Sequence, residues 1–158
     1  LLIIWHSRTG GSEQMARAAA AGAVTETETL LQPAENTRPD DLVAADGYLF
    51  ACPENLATMS GEMKAFFDRC YYPLLGRVEG RPYATMVCGG SDGSGTAAQI
   101  ARIATGWRLK PVADPLIVCT HAQTAKAILA PKTIAEADLE RSRELGAMLA
   151  AGLALGVY

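Results

Sequence analysis

The chain has 158 residues, 49% of them hydrophobic, and a formal net charge of -3, which suits one packed domain and excludes wholesale disorder. The mild acidity, with no run of Lys or Arg, excludes the basic footprint of a nucleic-acid-binding surface. The apolar opening Leu1-Leu2-Ile3-Ile4-Trp5 is far shorter than the ~20 residues of a membrane span and lacks a basic leader and a cleavage site, so neither an anchor nor a secretory signal is expected.

Leu1 to Trp5 reads as a short apolar strand, which empties into the turn-rich Ser7-Arg8-Thr9-Gly10-Gly11-Ser12. Met15, Ala16, Ala19, Ala20 and Ala23 recur at helical spacing and predict a helix from Glu13 to about Ala23. Val24 to Leu31 alternates Thr and Glu and is expected as an edge strand blunted by charge. Gln32 to Asp41, broken by Pro33 and Pro39, is expected as loop, followed by a short helix to Ala45. Gly47 to Cys52 is a further apolar strand, ended by Pro53. Met59, Met63, Phe66, Phe67 and Cys70 then share one face of an amphipathic helix.

Pro82 to Cys88 is again an apolar strand, opening into Gly89-Gly90-Ser91-Asp92-Gly93-Ser94-Gly95. Thr96 to Thr105 reads as a helix that Gly106 is placed to end. Leu109 to Cys119 reads as a strand interrupted by Pro111 and Pro115. Thr133 and Glu136 have capping-box spacing and predict that the last helix opens at Thr133. Strands alternating with helices predict one doubly wound α/β domain over residues 1–158, its parallel sheet covered on both faces.

The four cysteines, Cys52, Cys70, Cys88 and Cys119, form no C-x-x-C pair. Zinc-ligand spacing is missing, no metal is expected, and the thiols read as buried in a reducing compartment, the cytoplasm. In open α/β sheets ligands bind at the carboxyl ends of the strands, and three unusual loops follow three strands here. Ser7 to Ser12 offers glycines, hydroxyls and a following helix N-terminus, which suits a phosphate; with no Lys in the G-K-[ST] position it is not a nucleotide P-loop. The second loop is Pro53-Glu54-Asn55-Leu56-Ala57-Thr58 and the third is Gly89 to Gly95. On adjacent strands the three would span roughly 10 Å, the reach of a flat tricyclic ring beside a phosphate pocket.

Ser7-Arg8-Thr9-Gly10-Gly11-Ser12 resembles the [ST]-x-T-G-x-[ST] phosphate loop of flavodoxin-like FMN proteins. Pro53-Glu54-Asn55-Leu56 with Met59-Ser60-Gly61-Glu62-Met63-Lys64-Ala65-Phe66-Phe67-Asp68-Arg69 resembles a segment of NAD(P)H-dependent FMN reductases and of quinone reductases of the tryptophan-repressor-binding-protein type. The resemblance covers nearly the whole chain. It implies a flavodoxin-like three-layer sandwich, with a five-stranded parallel sheet of order 2-1-3-4-5. It implies FMN, its phosphate on Ser7, Arg8, Thr9, Gly10, Gly11 and Ser12. The isoalloxazine would lie against Pro53, Glu54, Asn55, Leu56, Ala57 and Thr58 on one side and Gly89, Gly90, Ser91 and Asp92 on the other. It also implies NAD(P)H as co-substrate, a quinone, flavin or other small molecule as acceptor, and a homo-oligomer. Relatives often carry Gly and an aromatic or Asn where Ala57 and Thr58 stand, and the quinone reductases carry an extra insertion.

Several residues have two readings. Glu54 either accepts from the ring N3–H or is a solvated loop residue. Asp92 either meets the ring edge or initiates a turn with Gly93. Lys64 and Arg69 either reach a nucleotide phosphate or lie on a solvated face. Trp5 and Trp107 read as packing residues, and His121 follows a strand end. Gly93-Ser94-Gly95-Thr96-Ala97-Ala98, with Asp114 further on, matches a dinucleotide fingerprint; such a fingerprint normally follows the first strand, which here owns another phosphate loop. No nucleophile–base pair stands out in the three loops, as expected where a flavin carries the chemistry. The leading expectation is an NAD(P)H-dependent oxidoreductase. The alternative is a flavodoxin-type electron carrier, which steers partners by a strongly acidic surface.

Overall fold

A computed structural model describes all of residues 1–158. β1 (Leu2–Trp5), β3 (Tyr48–Asn55) and β5 (Pro82–Gly89) form the centre of a parallel sheet, with β2 (Leu30–Pro33) outside β1. The far edge is a strand in two pieces, β6 (Lys110–Pro111) and β7 (Leu116–Cys119), both paired with β5. Counting those pieces as one strand gives the expected order 2-1-3-4-5. The break has the cause read from the sequence: Pro111 and Pro115 cannot donate to a ladder. One strand falls outside the parallel pattern, since β4 (Thr58–Met59) pairs antiparallel with the end of β3.

Strand residues alternate between two cores. From β3, Tyr48, Phe50 and Cys52 face one side while Leu49 and Ala51 face the other. The first side packs against α2 (Pro39–Ala44), α3 (Gly61–Leu74) and α4 (Ser94–Gly106), and is aromatic. Phe50 touches Phe66, Phe67 and Tyr83, and Trp107 closes the cluster with its ring centroid 5.5 Å from that of Phe67. The second side packs against α1 (Gly11–Ala23) and α6 (Glu136–Ala154) and is richer in small residues, Ala16, Ala19, Ala23 and Ala150 among them. There the two helices approach backbone to backbone. A Cβ on Gly22 would stand 2.1 Å from the Arg143 carbonyl oxygen, and one on Gly146 2.0 Å from that of Ala19.

Several boundaries differ from the sequence expectation. Residues 24–26 are turn, and the edge strand begins at Leu30, running through Pro33. A β strand survives Pro33 because it is an edge. α2 starts at Pro39, whose fixed φ and missing N–H suit a first helical turn. Pro53 does not end β3, which continues to Asn55. α3 begins at Gly61, after an N-cap at Ser60. Gly106 is the last helical residue of α4, and the left-handed position falls to Arg108 at φ 54°. The Thr133–Glu136 capping box is not formed: α6 opens at Glu136, with Ala135 at the N-cap and no side-chain cap. A short helix, α5 (Ala125–Leu129), was not expected; Thr124 caps it, accepting from the Ala127 N–H at 3.2 Å. No helix is long and apolar enough to cross a membrane.

Candidate functional site

The carboxyl ends of β1, β3, β5 and β7 open on one rim. There the chain leaves β1 and turns into α1 through Gly10, whose φ of 87° lies in the left-handed region that glycine adopts freely. No side chain caps α1. The N–H groups of Gly11, Ser12 and Glu13 find no acceptor in the protein, the first intrahelical bond being Gln14 N to Gly10 O. The Ser12 hydroxyl is buried and equally without a partner. Buried donors left unpaired are costly and uncommon. A ligand with several acceptor oxygens would satisfy the hydroxyl and the helix end together, and a phosphate ester fits that donor set.

The loop is braced from behind. The Gln14 side-chain amide donates to Gly10 O at 3.0 Å and to Lys132 O at 2.7 Å, while its oxygen accepts from Ile134 N at 3.1 Å. Lys132 N donates to Thr9 O at 2.7 Å. His6 extends the brace toward α3. Its Nδ1 lies 2.9 Å from Ser60 Oγ and its Nε2 3.6 Å from Glu62, whose other oxygen accepts from Arg8 at 3.1 Å. Burial lowers the His6 pKa, with Glu62 opposing. Ser, His and Glu in a row suggest a nucleophile relay, but Ser60 is 0% exposed. The row joins the Met59-Ser60-Gly61-Glu62 segment to the first loop.

A cleft of about 570 Å³ collects the three loops. Ser7, Arg8, Thr9, Gly11 and Ser12 line it from the first, Pro53, Glu54, Asn55 and Leu56 from the second, Gly89 and Gly90 from the third. Gly10 serves through its backbone turn. Ala57, Ser91 and Asp92 stand off the lining, and Thr58 faces a neighbouring cavity. Asp92 accepts from Gly93 N at 2.7 Å, Ser94 N at 3.0 Å and Ser94 Oγ at 2.5 Å. Those bonds, the Ser94 hydroxyl foremost, hold its carboxyl below its ordinary pKa and make it the turn residue that opens α4. Lys64 lines the neighbouring cavity. Arg69 donates to Ala34 O and Thr37 O, which makes it a brace for the loop before α2.

Sequence reasoning missed the fourth wall. Cys88, Thr120, Ala122, Ile128, Leu129 and Lys132 complete the cleft. The signal lay in the position of residues 120–132 just after β7, since that strand too ends at the ligand rim; α5 is too short to show a helical period. Lys132 Nζ is held by the carbonyls of Ala127, Ile128 and Ala130 at 2.7 to 2.8 Å. Burial pushes the Cys88 thiol up to about 11, so it lines the cleft as a neutral group.

The second loop is a tight hairpin. Asn55 pairs with Thr58, leaving Leu56 and Ala57 as the two turn residues, at φ 53° and 60°. Such turns ordinarily carry Asn-Gly, because side chains are strained there. Contacts with α4 hold the hairpin down. Glu54 Oε2 accepts from Thr96 N at 2.9 Å, and Gln99 Oε1 accepts from Met59 N at 3.0 Å. A Cβ on Gly95 would lie 2.3 Å from Ala57 O. These contacts also settle the dinucleotide fingerprint. Gly93 and Gly95 are there for packing, against Val87 and Ile117 and against the hairpin, and the Glu54 carboxylate occupies the helix end that would receive a phosphate.

Comparison with known proteins agrees with this architecture. The chain is 29% identical over 99% of its length to a flavodoxin of Aquifex aeolicus, covering 88% of that protein. It is 37% identical over 44% of its length to an NAD(P)H dehydrogenase (quinone) of Acidithiobacillus ferrooxidans, covering 46% of that one. A crystal structure of a flavodoxin, WrbA-like protein from Agrobacterium tumefaciens superposes with a TM-score of 0.67, over 98% of this chain and 96% of the other, at 20% identity. The expected flavodoxin-like fold is therefore the fold observed. Residues 32–123, more than half of the chain, match the family described as NADPH-dependent FMN reductase, and the chain belongs to that family.

Proposed function

We propose that the chain is an FMN-dependent oxidoreductase that takes hydride from NAD(P)H and delivers reducing equivalents to a small acceptor such as a quinone or a free flavin. When bound, FMN supplies the ring that accepts and releases hydride. The N–H groups of Gly11, Ser12 and Glu13 and the Ser12 hydroxyl would bind its phosphate. Residues Pro53 to Leu56 and Gly89 to Gly90 would orient the ring. Cys88 would line the deep side of the cleft, and the exposed aliphatic side chains of Ile128 and Leu129 its rim.

One observation carries the catalytic reading: no aromatic side chain lines the cleft. A ring held there has an open face on which a nicotinamide can stack at the ~3–3.5 Å of a near-attack geometry. A planar acceptor can then take the same place. The rim is also not acidic, since Arg8 and Lys132 are part of the lining. The second reading, an electron carrier without its own NAD(P)H turnover, is favoured by the similarity to a flavodoxin over nearly the full chain. Anaerobic stopped flow separates the two. For an oxidoreductase, NADPH or NADH bleaches the bound flavin in a fast phase, and a quinone restores the colour. If neither nucleotide bleaches it while a separate reductase protein does, the carrier reading holds.

A further inference from the structure

Across the β3–β4 hairpin from the main cleft lies a second cavity of about 520 Å³. The two adjoin, because Arg8, Asn55 and Leu56 line both. Two cations, Arg8 and Lys64, line the second cavity and no carboxylate does. Their partners stand outside the lining, Glu62 beside Arg8 and Asp68 one turn along α3 from Lys64. The Arg8 and Lys64 side chains are 65% and 51% exposed, so trading such solvent-facing pairs for a ligand costs little. The neighbouring groups are polar and uncommitted. The Asn55 side chain makes no hydrogen bond, and Gln99 uses only its oxygen, on Met59 N, leaving its amide N–H groups free. Gly61 keeps the floor open, since a Cβ there would meet nothing within 4 Å.

We propose that this cavity holds the pyrophosphate bridge of the nicotinamide dinucleotide while the nicotinamide lies in the main cleft. The inference rests on the oxidoreductase reading above and names how the co-substrate is held. A dinucleotide stacked at the open face must lead its diphosphate out of the cleft. The first loop's donors are taken by the cofactor's own phosphate, so a separate anion site is needed next door. Arg8 offers a planar fork that meets phosphate oxygens in pairs, and Lys64 a point charge beside it. Both nucleotides share the bridge, so the site would raise affinity for NADH and NADPH alike.

The test uses the FMN-reconstituted protein and two variants, Lys64→Glu and Lys64→Ala. Calorimetry measures NADP+ and NAD+ affinity. Anaerobic stopped flow compares NADPH with 1-benzyl-1,4-dihydronicotinamide, a hydride donor without phosphate. Lys64→Glu should weaken both dinucleotides about tenfold and Lys64→Ala about threefold. The limiting rate with NADPH, the reaction with the benzyl donor and the FMN affinity should all stay as in the parent. Unchanged dinucleotide affinity in Lys64→Glu, or a benzyl donor slowed as much as NADPH, overturns the subsite alone. If the parent binds neither dinucleotide and only the benzyl donor bleaches its flavin, the oxidoreductase reading itself falls, and the subsite with it.

Discussion

The two sides of the cleft are built by opposite means. On the first-loop side the backbone is relaxed, with glycine at the one left-handed position, and Gln14 and Lys132 tie it from behind. Its donors, the N–H groups of Gly11, Ser12 and Glu13 and the Ser12 hydroxyl, are left unpaired. On the hairpin side two bonds tie the loop to α4, Thr96 N to Glu54 Oε2 and Met59 N to Gln99 Oε1. There the backbone carries the strain, at Leu56 and Ala57, and Leu56 is 98% exposed. One wall thus stores unsatisfied hydrogen bonds and the other unfavourable dihedrals. The first reads as the part that fixes a ligand's position. The second reads as the part that can yield when a ring or a co-substrate enters.

Four experiments test this contrast. Thr9→Asp puts a carboxylate on the first-loop wall against the proposed phosphate, and FMN affinity should fall by about 100-fold or more; calorimetry showing parental affinity would remove the phosphate from that loop. Gln14→Ala removes three hydrogen bonds to backbone groups, so unfolding stability should drop by about 2–3 kcal/mol, with a weaker FMN complex alongside. Urea melts check the first part and fluorescence titration the second. On the other wall, the double change Leu56→Asn and Ala57→Gly supplies the residues a two-residue turn prefers. It should raise stability by about 1–2 kcal/mol, with FMN affinity changed far less than by Thr9→Asp. A melt at or below the parent's would show that the hairpin dihedrals carry no strain.

The smallest effect concerns His6, which burial keeps below its ordinary pKa of 6.5. The unfolded chain then takes up a proton at this site before the folded one does. Stability therefore rises with pH through that window and is lost as pH falls below about 6.5. His6→Gln should flatten the decline between pH 7 and 5. Glu62, also held below its ordinary value, acts in the same direction but in a lower window, below about pH 4.5. Thermal melts at closely spaced pH values separate the two. Identical parent and variant profiles between pH 5 and 7 would mean that His6 titrates alike in both states.

The parts of the site legible in the sequence were those with local signals. Ser7 to Ser12 announces itself because glycines, hydroxyls and a helix start are adjacent in the chain. The apolar runs Leu1 to Trp5, Gly47 to Cys52 and Pro82 to Cys88 gave the strands, because a strand buried on both faces has no polar side to mask it. What escaped depends on partners remote in sequence. Glu54 has the composition of a solvated loop residue, and only the placement of Thr96 makes it a helix cap. Gln14 looks like an exposed helical residue until the segment around Lys132 and Ile134 arrives beside it. The continuation of β3 past Pro53 was hidden for a related reason, since the antiparallel partner that prolongs it begins only at Thr58.

The close contact of α1 with α6 has a dynamic consequence. At Gly22 and Gly146 the two helices touch through their backbones, which leaves little room for either to shift alone. They should open and close as one cooperative unit in native-state amide exchange, with shared protection across both. The first loop is the leading end of α1, so its position is set by that packed helix pair. The hairpin continues β3 and is tied to α4 instead. A ligand entering the cleft would therefore meet one wall placed by the α1–α6 contact and another placed by α4.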